Sequence, residues 1–240
     1  MTKLRTIGEE RPSRIARAPG FTVRTYQPGD FWDVRRIVAG GTMELVMVAF
    51  KQAVHSPSIV CLLLASSGIV YAVTASMACT SLMCLVLLAL VYLACRQFFA
   101  SYLRERMKTD MADIEGHYLK PPGAGFWVAV EEEGSRQVVG TVGMKTEPRD
   151  PSSCQLLRLF VEQRCRRQGL GRRLTQKVLD FAKDQGYHIC FLETTNIQEP
   201  AIHMYQKMGF QVQSFYRPVK APVILSLLSK ILICKLTKNL

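Results

Sequence analysis

Between Ser56 and Cys95 about 40 consecutive residues carry no charged side chain. A run that long far exceeds the ~18 apolar residues that already mark a membrane segment. As a single helix it would reach about 60 Å at 1.5 Å per residue, twice the ~30 Å hydrocarbon core. A helical hairpin fits the length. Its legs are short, so it either spans the bilayer or re-enters on the same side. Gly68 with Ser66 and Ser67, or Thr80 with Ser81, marks the expected turn. Lys51 and His55 precede the run, and Arg96, Arg104, Arg106 and Lys108 follow it. Positive charge at both ends places both in the cytosol. The run starts too far along the chain for a cleavable signal.

The rest of the chain is different material. Its 240 residues include 31 Lys and Arg against 19 Asp and Glu, a net charge of +12, although 48% of residues are hydrophobic. That apolar content excludes disorder and low-complexity classes. The charge excludes a wholly membrane-embedded protein. The basic residues gather at the membrane flanks and around one glycine-containing loop, so no nucleic-acid partner is expected. The eight cysteines show no C-x-x-C spacing. They read as reduced and mostly buried in a cytosol-facing protein, and no metal site follows.

Residues 1–20 read as a basic flexible tail with affinity for anionic lipid. Residues 21–55 supply a strand, Phe21–Tyr26, and a helix with apolar spacing at Phe31, Val34, Ile37 and Val38. The hairpin occupies 56–95. Residues 96–220 begin with a polar helix to about Leu119, stopped by Pro121, Pro122 and Gly123. Strands follow at Phe126–Glu131 and Val138–Met144, with a loop at Glu147–Ser153. A strand at Cys154–Val161 leads to a helix ending near Gln185. Then come a strand at His188–Thr194, a helix at Pro200–Met208 and a strand at Phe210–Tyr216. The last segment, 221–240, is apolar but carries Lys230 and Lys235. It reads either as an interfacial helix or as a last strand. The class is α/β, an α+β mixed sheet.

Chemistry concentrates where the Cys154–Val161 strand runs into Arg166-Arg167-Gln168-Gly169-Leu170-Gly171-Arg172. Two glycines let backbone approach a ligand, and a new helix offers free N–H groups and a positive dipole end. The arginines add charge, so the loop reads as a pyrophosphate cradle. It lacks G-x-G-x-x-G and the Gly-Lys-Ser/Thr of a nucleotide loop. About 30 residues on, Ala201 and Tyr205 share one helix face, and Gly209-Phe210 follows.

R-x-x-G-x-G followed by A-x-x-x-Y-x-x-x-G-F resembles the signature of the GNAT acetyltransferases, and the element order is similar to that fold. Thr109-Asp110-Met111-Ala112-Asp113-Ile114, Lys120-Pro121-Pro122-Gly123 and Phe126-Trp127-Val128-Ala129 resemble the camello-like N-acetyltransferases. Members of that group carry a membrane segment between the first two helices. The resemblance covers about residues 21–220. It implies a GNAT fold with an inserted membrane hairpin and acetyl-CoA as acetyl donor. It also implies an endoplasmic reticulum membrane with the catalytic domain in the cytosol.

Under that resemblance, acetyl-CoA sits where the strand before the cradle splays from the strand after it. Backbone at Leu159, Phe160 and Val161 would pair with its pantetheine arm. N–H groups from Gln168 to Arg172 would hold the pyrophosphate, beside Arg166 and Arg167. Gln198 stands where many relatives have asparagine. Tyr205 resembles the acid that protonates the departing thiolate, since a phenol near pKa 10 keeps its proton beside a thiol near 8.5. The family's usual glutamate would fall near Gln155, which cannot act as a base. Glu193 is the nearest suitable carboxylate. Asp110 and Asp113 would act as bases or bind substrate, and Arg158 would pair with a substrate carboxylate. The acceptor is then a small-molecule α-amine, either aspartate-like or a cysteine S-conjugate. A lysine acetyltransferase of membrane or secretory proteins and a non-catalytic acetyl-CoA binder remain as alternatives.

Overall fold

The computed structural model describes residues 20–132, 136–218 and 231–240. The tail expected over 1–20 therefore lies almost wholly outside the described residues, as does the stretch of the C-terminal segment before residue 231.

One seven-stranded sheet organises the chain, in the order β1-β2-β3-β4-β5-β7-β6. The strands are β1 (Phe21–Thr25), β2 (Gly125–Glu131), β3 (Val138–Glu147), β4 (Asp150–Val161), β5 (Ile189–Thr195), β6 (Gln211–Tyr216) and β7 (Ile233–Asn239). Every neighbouring pair is antiparallel except β4 with β5. Strand β2 shows how the sheet is held. Trp127 and Ala129 point to one face, and Phe126, Val128 and Val130 to the other. Period-2 alternation lets one strand serve two cores. One face packs against α4 (Leu170–Asp184) through Leu170, Leu174 and Val178. The other packs against the first half of α1 (Phe31–Val54) through Val34, Ile37 and Val38.

Two helices continue from α1: α2 (Pro57–Thr74) and α3 (Met77–Lys108). Gly68 sits within α2, and the hairpin turns instead at Ala75 and Ser76. Ala75 takes the left-handed conformation at φ 47°, and the Ser76 side chain accepts the Cys79 N–H at 3.4 Å. Hydroxyls of Thr74, Ser76 and Thr80 bond to backbone groups at this tip. Local capping there outweighs the helix cost of one interior glycine, about 1 kcal/mol.

The boundary drawn at Cys95 does not interrupt the helix. Leg and polar helix form one 32-residue rod, because Arg96-Gln97-Phe98-Phe99-Ala100 contains neither a breaker nor a cap. This rod ends at Lys108, earlier than Leu119, and the chain turns inward before a π-helical turn at Glu115–Leu119. Strand β4 begins at Asp150, inside the expected loop, because β3 and β4 meet in a tight hairpin with Glu147 opposite Asp150.

Among the described residues three helices are long and apolar enough to cross a membrane: Pro28–Val54, Pro57–Thr74 and Met77–Lys108. The second and third leave Leu64, Val73, Met77 and Leu85 more than 60% exposed, as lipid-facing side chains would be. At 18 residues α2 is about 27 Å long, close to the ~30 Å core. The first half of α1 covers the sheet, and its second half packs through Val46, Ala49 and Ala53 onto Ile59, Val91 and Cys95.

Candidate active site

Strands β4 and β5 pair from Ser153 with Ile189 to Leu156 with Leu192. Beyond Leu156 that ladder stops. On the other side of β4 the register with β3 slips, so that Arg158 and Leu159 oppose Val142 alone. Arg158 takes φ 54° within this bulge, and its carbonyl accepts the Thr141 hydroxyl at 2.8 Å. A bulge bends its strand. Here it turns the end of β4 away from β5 and opens a gap. Leu159, Phe160 and Tyr205 line the cavity in that gap, of about 520 Å³. The Val161 carbonyl accepts Arg166 Nε at 2.9 Å.

The loop beyond β4 is built for backbone exposure. Arg167 and Gly169 take φ 63° and 78°. The first α4 hydrogen bond runs from the Arg173 N–H to the Gly169 carbonyl, so the N–H groups from Gly169 to Arg172 precede the ladder. Leu170 is buried and anchors the helix start. Gly171 admits close packing, because a Cβ there would meet Met204 Sδ at 3.2 Å. Arg166 is tied to Glu44 at 2.5 Å. Arg167, Gln168 and Arg172 are exposed. Arg173 faces away and donates to the Phe21 carbonyl at 2.7 Å.

The proposed catalytic pair reaches the same cavity. Tyr205 is 5% exposed and packs edge-on against Phe210. Burial pushes its phenol pKa up, with Cys190 adding to the rise, so the hydroxyl stays protonated. Glu193 lines the cavity from β5 and accepts the Tyr216 hydroxyl at 2.6 Å. Gln198 lines it too, donating to Thr195 Oγ1 at 3.1 Å.

Asp110 and Arg158 meet each other. Arg158 Nε and Nη2 reach Asp110 at 2.8 and 3.0 Å, and its Nη1 reaches the Tyr102 hydroxyl at 2.9 Å. The Tyr118 hydroxyl donates to Asp110 at 2.5 Å. Burial opposes ionisation of Asp110. The hydrogen bonds and charge of Arg158, aided by Tyr118 and Lys145, outweigh it and hold the pKa at about 2. Each partner thus cancels the other's charge, and Arg158 commits three of its five N–H groups. Asp113 stands apart: it caps a turn by accepting the Gly116 N–H at 2.8 Å.

The sequence reading missed the wall opposite. Phe98, Tyr102 and Arg106 line the cavity from α3, joined by Lys145 from β3 and Leu45 from α1. Their i, i+4, i+8 spacing is the signal. It becomes visible only once α3 is known to run unbroken from the apolar segment into the domain. Among the described residues no group of three or more His, Cys, Asp or Glu is placed to hold a metal.

The fold is that of the GNAT acetyltransferases. It is similar to an acetyltransferase of the GNAT family from Staphylococcus aureus Mu50 (TM-score 0.54, 16% identity, covering 92% of this chain and 99% of that one). A GCN5-related N-acetyltransferase from Kribbella flavida gives the same TM-score at 14% identity, covering 92% and 98%. The acetyltransferase (GNAT) family profile matches residues 87–210. N-acetyltransferase 8B of Rattus norvegicus is 36% identical over 196 residues, covering 80% of this chain and 87% of that protein. N-acetylaspartate synthetase of Homo sapiens is 35% identical over 193 residues, covering 80% of this chain and 63% of that protein. The chain belongs to the GNAT family and is an acetyl-CoA-dependent N-acetyltransferase.

Proposed function

We propose that the protein is anchored in an intracellular membrane, the endoplasmic reticulum, and acetylates the α-amine of a small amino acid bearing an apolar body, such as a cysteine S-conjugate. One observation carries this reading: the cavity at the β4–β5 gap shares a wall with the helix that leaves the apolar hairpin. Phe98 lies three residues beyond Cys95, so the aromatic part of that wall is within about 5 Å of the end of the uncharged run. An acceptor with an apolar side chain can occupy that end while its amine faces the gap. The basic flanks at Lys51 and Arg96 keep the domain on the cytosolic side.

Acetyl-CoA supplies a thioester carbonyl that the acceptor amine attacks directly. The N–H groups of Gly169–Arg172 hold its pyrophosphate, with Arg167 and Arg172 exposed beside them and Arg166 braced by Glu44. A main-chain N–H near Phe160 faces the developing oxyanion. Glu193, exposed at the cavity, takes the amine proton, directly or through water. Tyr205, still protonated, hands its proton to the departing thiolate.

The acceptor profile tests this reading. Membranes carrying the full chain receive labelled acetyl-CoA with S-benzylcysteine, aspartate or a lysine peptide. Preferred transfer to S-benzylcysteine is expected. Preference for aspartate would transfer the acceptor named in the synthetase relative to this chain. Transfer to the lysine peptide alone would replace a small acceptor with a protein one. Acetyl-CoA binding without any transfer would make the chain a non-catalytic binder.

A further inference from the structure

Two cations line the cavity with no carboxylate paired to them among the described residues. Arg106, in the last turn of α3, places its guanidinium carbon 5.2 Å from the centroid of the Tyr102 ring. Its Nε is buried with no hydrogen-bond partner among the described residues. Lys145, on β3, holds its ammonium 4.2 Å from the centroid of the Tyr118 ring. Both residues line the cavity, and neither joins an ion pair among the described residues. Asp110, the nearby carboxylate, is bound bidentately by Arg158.

An unpaired buried donor is costly, and two cations near one another repel. Burial pushes the Lys145 pKa down; Asp110 opposes this, and the charges of Arg158 and Arg106 add to the fall. A bound anion accepting from the Arg106 guanidinium and the Lys145 ammonium would relieve that repulsion. That anion belongs to the acceptor, because the cradle for the donor's phosphates lies at the start of α4. Arg106 is seven residues beyond Phe99 on one helix, about 10 Å farther from the hairpin. The cavity thus has a cationic end and, nearer the hairpin, an aromatic end.

We infer that Arg106 and Lys145 together bind the acceptor's carboxylate and so select amino acids, while Arg158 serves to hold Asp110. This rests on the amino-acid acceptor proposed above. An acceptor anchored by that carboxylate directs its side chain along α3 towards Phe99 and Phe98.

The test compares S-benzylcysteine with its carboxamide on membranes carrying the full chain. The wild type should favour the acid by about tenfold or more in KM, the size of one to two charge-assisted hydrogen bonds. Arg106→Gln and Lys145→Gln should each raise KM for the acid about tenfold, move the amide's KM much less, and erase the preference. Affinity for acetyl-CoA should hold. Arg106→Lys, which keeps the charge, should restore part of the preference. A wild type indifferent to the carboxylate overturns the inference, as do variants that keep the preference or lose acid and amide by one factor. Transfer to the lysine peptide alone overturns the amino-acid reading itself, and this inference with it.

Discussion

Replacing Asp110 with asparagine removes one charge from the buried pair and turns the acceptor of Arg158 Nη2 into an NH2 donor, while the remaining amide oxygen can still accept from Arg158 Nε and Tyr118. Two estimates bound the effect. Holding a carboxyl at about 2 against its ordinary 3.8 corresponds to roughly 2–3 kcal/mol at 1.36 kcal/mol per pKa unit. Breaking a buried ion pair from one side costs about 3–5 kcal/mol, since the remaining charge is stranded. For a chain of this size each kcal/mol shifts Tm by about 2–4 °C. Asp110→Asn should therefore melt about 4–20 °C below the wild type at pH 7. Adding Arg158→Met should recover much of the loss, because no charge is then stranded.

The pH dependence has a definite sign. A carboxyl whose folded pKa is depressed stabilises fully above its ordinary value and loses that contribution as pH falls through the folded value. The Tm gap between wild type and Asp110→Asn should therefore persist down to about pH 4 and close towards pH 2. Thermal melting of detergent-solubilised protein measures both effects. A variant within about 1 °C of the wild type at pH 7, or a gap unchanged by acid, refutes the argument.

Tyr205→Phe should lower turnover about 100-fold or more with acetyl-CoA affinity unchanged, as loss of a general acid does; equal turnover would remove its role. Because burial raises that phenol's pKa above 10, wild type and variant should share any alkaline limb below pH 10. Gly40 and Gly41 should respond in opposite ways to alanine in melting assays. Nothing lies within 4 Å of a Cβ at Gly40, and the helix gains about 0.5–1 kcal/mol. A Cβ at Gly41 would meet the Phe160 ring at 2.5 Å, costing about 1–3 kcal/mol and raising the KM for acetyl-CoA. Gly169→Ala places a side chain at φ 78°, and the strain should weaken acetyl-CoA binding; unaltered affinity would detach this glycine from the cradle. Protease added outside sealed vesicles should cut the catalytic domain and spare the hairpin, whereas protection of both would reverse the topology.

The elements legible in the sequence were those written in local patterns. The apolar run Phe126–Val130, closed by a Glu/Gly/Ser turn, specified a strand, and the cradle's Gly169 and Gly171 marked a strand-to-helix turn. Phrases without a unique local solution were less legible. Several residue clusters offered a turn between Ser56 and Cys95, and the chain used Ala75–Ser76 because hydroxyls there satisfy the tip. The positive φ of Arg158 left no sequence mark, since no glycine or asparagine flags it. Its pairing with Asp110 joins residues 48 apart, a separation that no periodicity reports.

Sequence alone determined that a long uncharged segment interrupts the chain and that a basic glycine loop is followed by a tyrosine helix, the pattern that resembles the GNAT signature. Charge, length and spacing are additive along the chain and need no knowledge of neighbours. Only the tertiary structure decided that hairpin and catalytic domain share one rigid helix, α3. It alone decided that Arg158 is neutralised by Asp110 while Arg106 and Lys145 join no ion pair among the described residues. The charge a site presents depends on which partners folding brings within about 3–4 Å, because a buried ion pair cancels its own field.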